Sequence, residues 1–559
     1  MIFLALAAFG AESPPSDVVL DAMAAELGRA GDLSLPGAPK LYHARYHALL
    51  LDQVDAHASF GALVSSDDAP FRAVGVELRV GTPAFDNTGF GGWQNGFGFG
   101  WIPARPTPEA IRDDLWRLTD RSYKQAVEQY GRKQAQIEQP PDHPGDYVVP
   151  AKVIRDLGGA AAAPAPSLVE LAVALSAAGA RAPRAVELSE AWVGHEAGRH
   201  LIVDTEGSRI VTPTSEVSIR VGAHVRAADG ELLTDERLWS VQQVGQLPDK
   251  ASMVAETDAM VAALVAAAER PSLDDEYVGP VMFEGDAAID LFRWLLVPQL
   301  EGTPPEVPFD TWFGSLGDTG SSVRIGRRVL PPGWSVYDDP SIAPESPASF
   351  AVDLEGVEAQ RVDLVTDGIV RGLVMSLTPR KEIRASNGHA RGLPGNRASG
   401  RTAELVVTPA KAMSAKKLDR AALTTAKAYG RDWWFVVRRL QEPAIFALNE
   451  GGWFDTTSGA LPPPVVLVKR HADGSEEVLR GASFAGVSRL VLRDLVAAGA
   501  PVTGAWMASS GGASETGLGP TEGIATWARV PAVLVGELEL VPRPSDPNDV
   551  PVLALPVAP

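Results

Sequence analysis

Apolar residues recur at helical spacing in several stretches of the chain. Ile111, Leu115, Leu118, Tyr123, Val127 and Tyr130 keep to one side of a helix predicted over 108–138. Shorter helices are predicted over 168–178 and 253–269, the second stopped by Pro271. A fourth, over 281–296, ends near Pro298. Elsewhere the pattern shortens to a period of two. Residues 41–47 alternate as a strand does, and 200–204 and 208–211 flank Thr205-Glu206-Gly207 as a hairpin. A second hairpin is predicted where 361–365 and 369–377 flank Thr366-Asp367-Gly368, because Asp-Gly supplies the positive φ of a tight turn. The β-branched run 465–468 and the segment 532–541 add strands.

Most of these strands pair with near neighbours through turns, so antiparallel sheet is expected to dominate an α+β fold. Two domains are expected to meet near residue 275, an N-terminal sheet with helices over 12–270 and a mostly antiparallel β domain over 276–559. Pro-rich stretches at 139–144, 302–308 and 461–464 read as turns or loops. The Ala-rich stretch 158–166 reads as a connector. The Gly-rich run 89–101 reads as a hinged surface loop, with an aromatic platform for an extended peptide as the sharper alternative. It does not open a helix after a strand, as a nucleotide-binding loop would.

The 559 residues include 50 basic and 70 acidic side chains, for a net charge of −20. A chain this acidic has no global attraction for nucleic acid or anionic lipid. There is no cysteine, which excludes disulfides, thiol catalysis and thiolate metal sites. No apolar run reaches the roughly 20 residues of an integral membrane segment. Residues 1–11 are nearly all apolar and precede Glu-Ser-Pro-Pro-Ser, the pattern of a short signal peptide processed near Gly10 or Ala11. Export to the periplasm or beyond is expected, with the cytoplasm as the alternative.

Candidate chemistry is sparse. No P-loop and no Gly-x-Ser-x-Gly elbow occur. His195, Glu196 and His200 spell H-E-x-x-x-H, which can bind zinc when a helix gathers the side chains. Gly198 and the strand expected from His200 speak against that helix and for an exposed hairpin entry. His43 and His47 also lie four apart, but on a strand that spans about 13 Å, too far for zinc. Asp338-Asp339 and the pair Asp353 and Glu355 are carboxylate clusters able to meet a hard cation, yet they lack calcium-loop spacing and suit turn-capping.

An ordered set of motifs does carry a signal. Tyr277-Val278-Gly279-Pro280-Val281 is followed by a helix and Leu300-Glu301-Gly302. Val336-Tyr337-Asp338-Asp339-Pro340, Asp353-Leu354-Glu355-Gly356-Val357, 364–372 around Asp367-Gly368, and Ser386-Asn387-Gly388-His389-Ala390-Arg391-Gly392 then come in turn. This order resembles the TldD/PmbA family of two-domain peptidases and their metal-free partner subunits. Weaker resemblance covers 201–225 and 526–541, and 12–165 looks like an extension found in exported relatives.

The resemblance implies a zinc motif, H-E-x-x-x-H, in the helix before Leu300-Glu301-Gly302. Arg293 and Trp294 stand where its first His and its Glu would be, and Pro298 where its second His would be. None can do the job: Arg is cationic, Trp offers no lone pair and Pro breaks the helix. The family's further ligand, a cysteine, is also missing. The resemblance therefore implies no zinc, no cofactor and a non-catalytic chain of the TldE/PmbA branch. Such a chain pairs as a homo- or heterodimer with a metal-bearing paralogue that cleaves peptides. Two other functions compete. One is a stand-alone peptide- or envelope-binding protein. The other is a hydrolase with a relocated site, whose residues would be His195, Glu196 and His200, or Asp353, Glu355 and His389.

Overall fold

The computed structural model describes residues 16–91, 95–103, 107–158, 167–182, 186–304, 306–307, 324–443, 461–508 and 523–543. The expected signal peptide lies outside them, as does most of the Ala-rich connector. Two large mixed sheets make up the molecule, joined by a few helices.

The first sheet holds nine strands: β1 (Leu41–Ser59), β2 (Ala62–Asp67), β3 (Phe71–Thr82), β4 (Phe85–Asp86), β5 (Phe97–Trp101), β6 (Ile154–Asp156), β7 (Leu188–Asp204), β8 (Arg209–Arg226) and β9 (Leu232–Val241). Their order is β4-β3-β1-β7-β8-β6, with β2 beside β1, β5 beside β3 and β9 beside β8. All pairings are antiparallel except β6 with β8. β1, β7 and β8 run 19, 17 and 18 residues, well beyond the usual strand of about 3–10.

That length lets two helix pairs share one face. The helices α1 (Ser16–Ala30) and α2 (Pro108–Gln136) cover Ala44, Tyr46, Ala48, Leu78, Leu201 and Val203. Farther along, α3 (Ser167–Ser176) and, beyond the single turn α4 (Ala178–Arg181), α5 (Lys250–Ala268) cover Ala58, Val193, Val217, Ile219 and Val221. The residues between these on each strand point to the opposite face, because side chains alternate. α5 has the length and hydropathy of a membrane span, but Met253, Met260, Val261 and Leu264 are buried against the sheet.

The second sheet comprises β10 (Tyr277–Phe283), β11 (Ser335–Asp338), β12 (Val362–Thr366), β13 (Ile369–Val370), β16 (Glu404–Thr408), β17 (Trp433–Val437), β18 (Leu467–His471), β19 (Glu476–Leu479), β20 (Ala482–Ala485), β21 (Leu495–Ala508) and β22 (Ile524–Pro542). A separate two-stranded ribbon, β14 (Ala390–Arg391) with β15 (Ser399–Gly400), lies between them in sequence. The sheet packs against α6 (Asp286–Leu295) and α7 (Ala415–Ala428). Antiparallel pairs dominate, with parallel exceptions at β10–β17 and β16–β22. The α+β class read from the sequence is the class observed.

Both predicted turns form, but the strand after the second ends at Val370 rather than running to 377. At the second, Asp367 and Gly368 take φ of 51° and 72°, the left-handed pair that a two-residue hairpin turn requires. Two further expectations need correction. Residues 281–283 belong to β10 rather than to a helix, which starts only at Asp286. Val281, Met282 and Phe283 form a wholly buried run between β17 and β22, and such a run has no periodicity to separate strand from helix. Residues 97–101 are an edge strand, not a loop. Gly98 is needed there because a Cβ would meet Ser122 Oγ of α2 at 2.3 Å.

Candidate functional site at the face between the sheets

The second face of the N-terminal sheet is polar, yet much of it is buried. From β1 it carries His43, Arg45 and His47, from β3 Glu77 and Arg79, from β7 Glu196, His200 and Asp204, and from β8 Glu216, Ser218 and Arg220. Segments of the C-terminal half roof this face. Arg45 donates to the backbone carbonyl of Glu355 (3.3 Å), and Gln242 donates to that of Ser346 (2.9 Å). A Cβ on Gly75 would meet the backbone nitrogen of Gly395 at 2.2 Å, so β3 carries no side chain where that loop lies.

At one end, charges are matched within a dense network. Arg45 pairs with Glu77 (2.8 Å) and donates to the Tyr147 hydroxyl (2.7 Å). Arg79 pairs with Glu77 (2.5 Å) and Asp86 (3.0 Å), and its guanidinium stacks 3.6 Å from the Tyr147 ring. Against the cost of burial, Arg79 and Arg45 hold the Glu77 carboxyl well below the usual range. His43 sits between Glu206 (2.8 Å) and Tyr147 (3.2 Å).

In the middle, His47 and His200 stack with ring nitrogens 3.2 Å apart. Burial drives both imidazoles toward the neutral form, His200 down to about 4. Glu196 and Glu216 stand directly opposite each other on β7 and β8. Burial, with the Glu196 charge adding to it, pushes the Glu216 carboxyl up to about 8.

The other end brings in α6. Arg293, buried in its last turn, pairs with Glu442 (2.9 Å) and Asp290 (3.6 Å) and stacks over Trp294 (4.9 Å). The same Glu442 lies 3.9 Å from Arg220, which pairs with Glu236 (3.1 Å). Arg439 pairs with Asp235 (2.6 Å) and Asp286 (3.0 Å). Burial pushes Asp290 above the usual carboxyl range, and Glu236 up to about 7.

Each residue singled out in the sequence has a place in this frame. His195 lies in mid-strand and is buried on the helix-covered face, paired in register with Val54 and Val217. The exposed hairpin entry expected there is therefore corrected: β7 begins at Leu188, seven residues earlier. Glu196 and His200 point to the polar face, opposite to His195, since one and five positions along a strand are odd steps. Asp353 accepts hydrogen bonds from the backbone of Glu355, Val357 and Ala390 at 2.9 Å each, closing its own turn. Glu355 accepts from the backbone of Leu377, and burial raises its carboxyl to about 8. His389 is fully buried between Asp338 (3.1 Å) and the backbone carbonyl of Asn387 (3.0 Å). Trp294 packs on the C-terminal core, and Pro298 sits in a 3₁₀ turn over Val297–Gln299.

The residues at the expected zinc position do not fit a metal. A guanidinium occupies it and is ion-paired to the carboxylates around it. Among the described residues, no group of three His, Asp or Glu side chains converges to hold an ion. The residues that sequence reasoning missed are Arg45, Glu77, Arg79, Tyr147, Arg220, Glu236 and Glu442. One signal was present: charged residues at every second position of otherwise apolar strands, as in His43-x-Arg45-x-His47 and Glu77-x-Arg79.

Comparison with known proteins fits this architecture. Residues 277–423 match the model of the PmbA/TldA metallopeptidase C-terminal domain. No curated protein matches the chain. Among solved structures, a candidate modulator of a DNA gyrase from Thermotoga maritima is 14% identical with a TM-score of 0.58, over 93% of this chain and 99% of that one. TldE from Thermococcus kodakarensis is 12% identical with a TM-score of 0.55, over 93% and 100%. A candidate modulator of DNA gyrase from Bacteroides thetaiotaomicron is 9% identical with a TM-score of 0.55, over 93% and 98%. Likeness at these identities concerns the fold, and the family assignment rests on the matched domain: residues 277–423 belong to the TldD/PmbA family as its C-terminal metallopeptidase domain.

Proposed function

We propose that this chain is a non-catalytic member of the family that works in peptide proteolysis by pairing with a metal-bearing paralogue. The paralogue supplies the zinc and the general base. This chain supplies walls and strand edges that hold an extended peptide. The observation that carries the reading is the Arg293–Glu442 ion pair at the motif position, in a chain without cysteine. A guanidinium held there by two carboxylates repels a dication and offers it no lone pair. The apolar stretch at 1–11 supports placing the pair outside the cytoplasm.

The test is a peptide-cleavage assay on the purified chain alone, on a family member carrying H-E-x-x-x-H alone, and on the two mixed. The reading expects no turnover by this chain, and a complex of the two whose rate exceeds that of the paralogue alone. Turnover by this chain alone that survives a chelator would favour a relocated site. Peptide affinity with neither turnover nor complex formation would favour a stand-alone binding protein.

A further inference from the structure

Charged side chains from the N-terminal sheet and from α6 and the segment after β17 meet around Arg293 in alternating sign. From the C-terminal half come Asp290 and Arg293 of α6 and, from the segment after β17, Arg439 and Glu442. From the N-terminal sheet come Arg220 of β8 and Asp235 and Glu236 of β9. Asp286 closes the set from the first turn of α6. Glu442 is the shared member. One of its oxygens faces Arg293 at 2.9 Å and the other faces Arg220 at 3.9 Å.

We propose that Arg293 is a built-in cation that ties α6 to the polar face of the N-terminal sheet through Glu442, so that this junction is held without a metal ion. The inference rests on the non-catalytic reading only in equating position 293 with the motif; the ion pairs stand on their own. Three physical points carry it. Arg220, Asp235, Arg293 and Glu442 at the centre of the cluster are buried, so the carboxylates there need a permanent counter-charge in place of water. A planar guanidinium can face two carboxylates at once, which an ammonium does less well. Finally, the last turn of a helix favours a cation, and Arg293 occupies that turn. A chain-borne cation cannot be stripped by a chelator, so the junction is expected to be indifferent to metal.

Thermal melting of the full chain tests this, with R293M, R293K, E442Q and the double variant R293M/E442Q. Wild-type melting is expected to be unmoved by EDTA. R293M should melt lower by roughly 5 °C or more, since it removes the 2.9 Å ion pair of the buried Glu442 carboxylate. R293K should recover part of the loss, and the double variant should melt above R293M. The R293M deficit should narrow from pH 7.5 to pH 5.5, as the stranded carboxylates take up protons. Should R293M fail to fold, a folded double variant supports the proposal. A wild-type-like E442Q overturns it, as do deficits that simply add in the double variant or wild-type melting that falls in EDTA. Complex formation with the metal-bearing paralogue is scored in parallel on wild type. Its failure with the Arg293–Glu442 coupling intact sinks the pairing reading alone.

Discussion

At 195–200 the chain carries the letters of a zinc motif on a strand, and at 293–298 it carries neither the letters nor a continuous helix, since α6 ends at Leu295 and Pro298 sits in a 3₁₀ turn. On β7 the alternation of side chains sends His195 under the helices and Glu196 and His200 to the polar face. At 293–298 the helix stops before the last motif position, and the first position is a guanidinium already paired with Glu442 and Asp290. Neither place makes a metal site, and the reasons are complementary. A ligand motif is a statement about geometry as much as about residue type. Six letters mean one thing at about 1.5 Å per residue and another at about 3.3 Å.

The strongest attempt to break this contrast restores the letters at 293–298. The variant R293H/W294E/P298H should unfold more readily by about 3–5 kcal/mol in denaturant titration, because it removes the partner of a buried carboxylate. A stable variant that binds one zinc would erase the distinction between the two places. Next in size is G198A. Within β7, a Cβ on Gly198 would meet the carbonyl oxygen of Leu50 at 2.0 Å, so a loss of roughly 1–3 kcal/mol is expected. Were 195–200 a helix, the same change would stabilise by up to about 1 kcal/mol, so the sign alone decides.

A smaller effect comes from pH. His200 is held near 4 in the folded state, well under its ordinary value, so the unfolded chain binds the proton more readily. Its contribution is therefore complete above about pH 6.5 and lost as pH falls toward 4. H200N should flatten the acid limb of the stability–pH profile by up to about 2 kcal/mol, with little change at pH 8. An unchanged acid limb would remove the buried pair with His47 from the account. The smallest expected effect is on metal content: H195Q should leave zinc per chain where it was, as read by elemental mass spectrometry. A fall would return His195 to the ligand list.

Local chemistry made much of the fold readable. Pro108 opens α2 behind the cap Thr107, whose side chain accepts from the Ala110 backbone. Asp367-Gly368 makes its turn as the letters say. The misread segments have causes of their own. At 281–283 burial on both faces erases periodicity, and at 97–101 glycines stand where α2 comes close. The polar face was hidden for a third reason. Its charges are satisfied by partners far along the chain, such as Arg45 with the Glu355 carbonyl, 310 positions away. In the sequence, His43, Arg45 and His47 read only as alternating positions of a strand, and their burial comes from the roof laid over β1.

The most direct measurement is the zinc content of the purified chain after mild dialysis. The account predicts a value near zero, with EDTA leaving thermal melting unchanged. One zinc per chain, released together with a drop in melting temperature, would contradict the placement of a guanidinium at the metal position and the function built on it.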